Sequence, residues 1–178
     1  MNGGKLSFVP TLDDVYRKFG EVSEAAQLLE MELGTLLLFF GAVDEGLITQ
    51  TLEVDGKRAT DLLGRINRQT LGQLIKNTRR HTEMLNQLEP LLSTALEERN
   101  RLSHQFYRQH NFRKNSDEGR ALMLSDLESV HHTLIEAYKA VMLLSGTDLE
   151  ALVEESAKAR ENGETAVVDE KPIFHLPI

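Results

Sequence analysis

The stretch LDDVYRKFGEVSEAAQLLEMELGTLLLFF, residues 12–40, decides the fold class. Leu12, Val15, Phe19, Val22, Ala26, Leu29, Leu33, Leu36 and Phe40 follow one another at alternating spacings of three and four. That rhythm keeps a single stripe apolar for about eight turns of a 3.6-residue helix. Pro10-Thr11 precedes it as a start signal. Thr11 suits the N-cap, and Asp13 and Asp14 suit the positive first turn. A bundle standing alone needs this face buried, so the stripe is assigned to the core rather than to a dimer seam. Gly41 and Gly46 are expected to loosen the far end.

The same period recurs outward along the chain. Residues 51–57 (TLEVDGK) read as a turn or a short extended piece. Ala59 to about Arg80 is helical, with a break near Gln69-Thr70 or Gly72. A third helix is expected from His81 to about Asn111, with Met84, Leu88, Leu91, Ala95, Leu102 and Phe106 near one face. Pro90 should kink it or start a new segment, because proline cannot donate the backbone bond. Ser116 is a candidate N-cap for a helix over 117–145 that carries Leu124, Leu127, Val130, Leu134, Tyr138, Val141 and Leu144. A weaker, acidic fifth helix follows Gly146-Thr147-Asp148 to about Arg160. From Asn162 onward no period survives, and two of the four prolines fall there, which suggests a mobile tail. The expected architecture is all-α, an antiparallel bundle of four to five helices over residues 11–160. It is flanked by an extension over 1–10 and a tail over 161–178.

Composition narrows the chemistry. At 178 residues the chain is one ordinary domain. It has no cysteine, which excludes disulfide scaffolds, thiolate zinc sites and cysteine nucleophiles and suggests a cytoplasmic protein. The longest near-apolar run, Leu33 to Val43, is interrupted by Gly34, Thr35 and Gly41. It falls short of the roughly 20 residues a membrane span needs, so no membrane partner is expected. The five N-terminal residues lead into no stretch of signal-peptide character.

Net charge is −8, a balance that taken whole argues against nucleic acid. Its distribution argues otherwise. Residues 1–56 carry −7 and residues 117–178 carry −8, while 57–80 carry +6 and 99–116 carry +5 with no carboxylate. A basic middle between acidic ends points to an anionic ligand. It is also what helices with paired, oppositely charged faces would display.

The chemically informative segment is EERNRLSHQFY, residues 97–107. Asn100 and His104 lie one turn apart on one helix face, and Arg101 and His104 are also neighbours. Arg99 is about 140° from His104 around the axis. An imidazole that titrates near neutrality can move a proton in phosphodiester transfer. A guanidinium can hold phosphate oxygens bidentately and stabilise transition-state charge. Asn100 can orient the imidazole or hydrogen-bond phosphate. Past the motif, Arg108, His110, Arg113 and Lys114 continue the basic run and could follow an RNA backbone or form a solvated helix end where cations suit the dipole.

The string RNRLSH, on the helix before the last long one, resembles the Arg-x4–6-His motif of the HEPN superfamily of all-α proteins, including the polar residue directly after the arginine. TLGQLI at 70–75, ALEERNRLSHQFY at 95–107 and NSDEGRALM at 115–123 are similar to blocks of one bacterial branch, and the likeness covers roughly residues 10–145. The resemblance implies a dimer that places two such motifs across a shared cleft, and metal-independent endoribonuclease activity of the kind found in toxins and antiphage effectors. Carried over, Arg99 and His104 are catalytic and Asn100 supports them. His104 assists attack of the ribose 2′-hydroxyl on the adjacent phosphate, and Arg99 stabilises the phosphorane-like charge. Apart from the resemblance, the basic run makes Arg101, Arg108, His110, Arg113 and Lys114 the expected RNA contacts. No cofactor or metal is implied. The expected partners are RNA, a second copy of the chain, and a cognate antitoxin or regulator.

Two departures stand beside this. In the toxin branch paired with a nucleotidyltransferase, a tyrosine lies two residues beyond the histidine, whereas here that position is Phe106 and the tyrosine is Tyr107. Many members of the superfamily are also inactive and serve as RNA-, nucleotide- or protein-binding modules, or as the regulatory member of a pair. Elsewhere, His81, His131, His132 and His175 form no metal-ligand spacing, and no glycine-rich phosphate loop is present.

Overall fold

The computed structural model describes residues 9–47, 56–78, 80 and 84–146. It contains α1 (Leu12–Asp44), α2 (Gly56–Ile66), α3 (Leu71–Thr78), α4 (Met84–Gln87), α5 (Glu89–His104), α6 (Phe106–Gln109), a 3-10 turn (Arg113–Asn115) and α7 (Asp117–Leu144). No strand occurs among the described residues. The fold class is the expected all-α bundle. The fifth helix, the tail and most of segment 51–57 lie outside the described residues, as does His81.

Helix starts follow the sequence signals. Thr11 accepts from Asp14 N–H at 3.1 Å while Asp14 Oδ2 accepts from Thr11 N–H at 2.9 Å, a reciprocal capping box. The Thr11 hydroxyl also donates to Asp14 Oδ2 at 2.6 Å, and this bond, with the one from Thr11 N–H, holds the Asp14 carboxyl below its ordinary value. Ser116 caps α7 by accepting from Gly119 N–H at 3.1 Å. At the other end of α1, Gly46 takes φ +63°. Gly46 and Leu47 then return hydrogen bonds to the Val43 and Ala42 carbonyls, and Leu47 is buried beneath the turn. Gly41 does not loosen this end. A Cβ there would lie 3.1 Å from the Leu62 side chain, so the glycine is a seat where α2 packs close against α1.

The segment expected as one helix from His81 to Asn111 is divided. Pro90 sits in the first turn of α5, where its missing N–H costs nothing. A second interruption falls at Gln105, whose backbone (φ −127°, ψ −21°) leaves the helical region between α5 and α6. Neither glycine nor proline marks that break.

The core is a wall of α1 against α7, with α5 packed on α7 and α2 and α3 packed on α1. Leu29, Leu33, Leu92, Phe106, Met123, Leu127 and Leu134 are fully buried in it, each contributing about 1.5–3 kcal/mol relative to exposure. Side-chain pairs fix the directions. Arg120 reaches Pro10, His131 meets Lys18, and Ser145 meets Glu32, so residue numbers rise together and α1 and α7 run parallel. Arg99 meets Glu30 and Phe106 meets Phe19, so α5–α6 runs antiparallel to α1. The antiparallel expectation therefore holds for α5. It fails for α1 and α7, because the intervening helices provide the return path.

By length and composition α1 could also cross a membrane, with an 18-residue window of mean hydropathy 1.4. This exceeds the Leu33–Val43 run singled out in the sequence, because a core stripe and the exposed Met31, Phe39 and Val43 share one helix. The central helix of a bundle has the same character.

Candidate functional site

Helix α5 turns Leu92, Ala95 and Leu102 inward, α6 continues the stripe with Phe106, and Arg99 falls in register with them. A guanidinium in a core-facing stripe needs a carboxylate, and α1 supplies Glu30 at the edge of its own buried face. Arg99 Nε and Nη2 lie 3.0 and 2.8 Å from Glu30 Oε1, and Nη1 donates to Asn100 Oδ1 at 3.2 Å. The two side chains of the ion pair each keep somewhat over a quarter of their exposure. Two of the five guanidinium N–H groups donate to described residues and Nη2 adds an ion-pair contact, so each terminal nitrogen keeps an N–H that no described residue takes up.

Arg101 is the residue most tightly held. Nη1 and Nη2 each donate at 2.8 Å to the two oxygens of Asp126 on α7, and Nε and Nη2 lie 2.8 and 2.6 Å from Glu98 Oε2. Gln109 accepts a further bond at 3.2 Å. The paired carboxylates raise the guanidinium pKa further above its ordinary value. Arg101 in turn holds the Asp126 carboxyl below the usual range, with His110 adding to the effect and burial opposing it. His110, 4% exposed, lies against the Phe106 ring with Nε2 2.7 Å from Asp126 Oδ2. Its Nδ1 faces Arg113 Nη1 at 3.1 Å. A guanidinium cannot accept, so this contact assigns the acceptor role to Nδ1 and the proton to Nε2. Arg101 and His110, both expected to contact RNA, are thus drawn inward onto Asp126. A buried polar group without a partner is costly, and Asp126 is the partner both find.

His104 contrasts with them. It is the last residue of α5, exposed, and its side chain makes no hydrogen bond to any described residue. Asn100 is exposed one turn before it. Arg108 and Lys114 are exposed and make no ion pair among the described residues, and Arg113 is exposed beyond its contact to His110. Within one chain Arg99 turns toward α1 and His104 turns away from the core, as their 140° separation requires. In the other basic segment, Arg65 pairs with Glu45 and Arg68 donates to the Gly64 carbonyl at 2.9 Å.

The sequence reading missed Glu30, Asp126 and Glu98. A signal for the first two was present: each carboxylate sits beside a core stripe, at a position whose helical neighbours are apolar. An apolar groove of about 440 Å³ runs between α1 and α2–α3, lined by Met31, Gly34, Leu38, Leu63 and Leu74, with Glu30 at its margin. His104 does not line it. Among the described residues no group of three or more His, Asp or Glu side chains is placed to hold a metal ion. No family model, curated protein or solved structure matches this chain.

Proposed function

We propose that the protein is a metal-independent endoribonuclease of HEPN type that acts as a homodimer, with His104 as the proton-transfer group and Arg99 as the phosphate-binding group. The observation that carries this reading is the placement of His104. It is exposed at the end of α5 with a ring that bonds to no described residue, on the same helix as an arginine whose terminal nitrogens keep N–H groups that no described residue takes up. An imidazole so placed can take the 2′-hydroxyl proton. Two N–H groups can reach two phosphate oxygens and stabilise the charge that develops there. Because Arg99 and His104 diverge on one helix, a second copy is needed to bring an arginine and a histidine onto one phosphate, and it also supplies the second proton-transfer group. Asn100 holds the orientation of Arg99. In a cell such an activity would suit a toxin or antiphage-defence component.

A second reading has its own support. The carboxylates on Arg99 and Arg101 suit a module whose motif stabilises the bundle while its surface binds RNA or a protein. Cleavage of a mixed-sequence RNA in EDTA separates the two. Wild type should cleave, His104→Ala should lose about 10²- to 10⁴-fold, and Arg99→Ala should lose a comparable factor. Equal activity in wild type and His104→Ala, or none in either, overturns the catalytic reading.

A further inference from the structure

Phe112 is the most exposed large apolar side chain among the described residues, at 81%. Exposure of that kind is unremarkable on a loose loop, but this loop is fastened on both sides. Before Phe112, the His110 ring is buried and bonded to Asp126. After it, the Arg113 backbone lies so close to α7 that a Cβ on Gly119 would come 2.0 Å from the Arg113 carbonyl oxygen. The Lys114 carbonyl accepts from Arg120 Nη1 at 3.0 Å, and the same guanidinium donates from Nε to the Pro10 carbonyl at 2.6 Å. Ser116 then caps α7. These anchors give Phe112 no cover, so they hold an aromatic ring out in water.

Three cations lie within four residues of the ring in the chain. Arg108, Arg113 and Lys114 are exposed and segment 99–116 has no carboxylate. Of the carboxylates that follow the segment, Asp117 is paired with Arg120 and Asp126 with Arg101 and His110, while Glu118 is exposed and pairs with none of the loop cations. A fixed aromatic face beside uncompensated cations matches an unpaired base linked to phosphates. An apolar pocket on a protein partner would accept the ring but not three cations on the same short segment, and a duplex would offer phosphates but no free base face.

We propose that Phe112 is a preorganised stacking platform for an unpaired base of single-stranded RNA, with Arg108, Arg113 and Lys114 holding the flanking phosphates. The proposal deepens the RNA reading above by naming single strands as the ligand, and it does not depend on cleavage.

The chain contains no tryptophan, so Phe112→Trp introduces a lone indole whose emission reports stacking directly. Binding is measured in the full chain carrying His104→Ala, with circular dichroism and melting temperature checking the fold of each variant. A mixed-sequence single-stranded 12-nucleotide RNA should quench the indole. Inorganic polyphosphate, which has charge but no bases, should bind without quenching it. Phe112→Ala should weaken single-strand binding about 5- to 100-fold, and Phe112→Tyr should restore most of it. Lys114→Ala should weaken RNA and polyphosphate alike. No quenching by RNA, or the same affinity in Phe112→Ala, overturns the platform. Quenching with no cleavage by wild type overturns the catalytic reading alone.

Discussion

Replacing Asp126 with asparagine tests whether one carboxylate ties α5, α6 and α7 together. Oδ2 accepts from Arg101 Nη1 at 2.8 Å and from His110 Nε2 at 2.7 Å, whereas Oδ1 accepts only from Arg101 Nη2 at 2.8 Å. The amide's best orientation therefore places its NH2 at the Oδ1 position, facing one guanidinium donor instead of two donors. One charge-assisted bond is lost, worth about 1.5–3 kcal/mol, and the two that remain fall to roughly half strength without the charge. Glu98 still pairs with Arg101, so the guanidinium is not orphaned. With a quarter of the Asp126 side chain exposed, the expected loss is about 2–3 kcal/mol. For a chain of this length that lowers Tm by about 4–12 °C.

The same substitution carries a pH signature. Arg101 and His110 hold the Asp126 carboxyl below its ordinary value, so the folded state is the weaker proton acceptor. Wild type therefore keeps this contribution above the unfolded Asp value of about 4 and loses it as pH falls through the folded value. Asparagine has nothing to titrate. Urea unfolding at pH 7 and at intervals down to pH 3 should show a constant gap between wild type and Asp126→Asn above about pH 5, closing below it. A double-mutant cycle with Arg101→Met should give a coupling above about 1 kcal/mol. A gap under 1 kcal/mol at pH 7, or one that persists unchanged to pH 3, refutes the reasoning.

Gly119→Ala should cost about 1–3 kcal/mol, since its Cβ meets backbone rather than a movable side chain. Gly20→Ala, in an exposed position of α1 with open space around it, should instead stabilise by about 0.5–1 kcal/mol. Chemical denaturation of both variants checks the pair, and a neutral Gly119→Ala would contradict the close approach of Arg113. His131 is a pH test of opposite character. Burial and Lys18, whose Nζ lies 3.2 Å from Nδ1, lower its pKa, so the unfolded chain takes up a proton that the folded chain refuses. Stability should fall as pH drops below about 6.5 and level off below the folded value. His131→Gln should lose less stability than wild type between pH 8 and pH 5.5, and an equal loss in both proteins would count against the assignment.

What could be read from the chain divides along a physical line. Helix existence, the Thr11 and Ser116 caps and the stripe on α1 depend on residues within four positions of one another, and periodicity reports such relations directly. The pairs that decide the site are Arg99 with Glu30, 69 residues apart, and Arg101 and His110 with Asp126, 25 and 16 residues apart. No local period encodes them. The break at Gln105 is hidden for a related reason: no helix breaker marks it, and it is seen only with α5 and α6 packed in place.

One consequence reaches the charge pattern. Residues 99–116 form a single basic block in the sequence, but packing divides it at about residue 107. Arg99 and Arg101 are spent inside the bundle on Glu30, Glu98 and Asp126, whereas Arg108, Arg113 and Lys114 remain in solvent around Phe112. Uncompensated cations set the local potential, so the outer loop governs attraction of an anionic strand. On the proposed function, the motif acts on a strand that this loop holds. Affinity and chemistry are thereby assigned to different residues of one short segment, and substitutions at Lys114 and at His104 should change different observables.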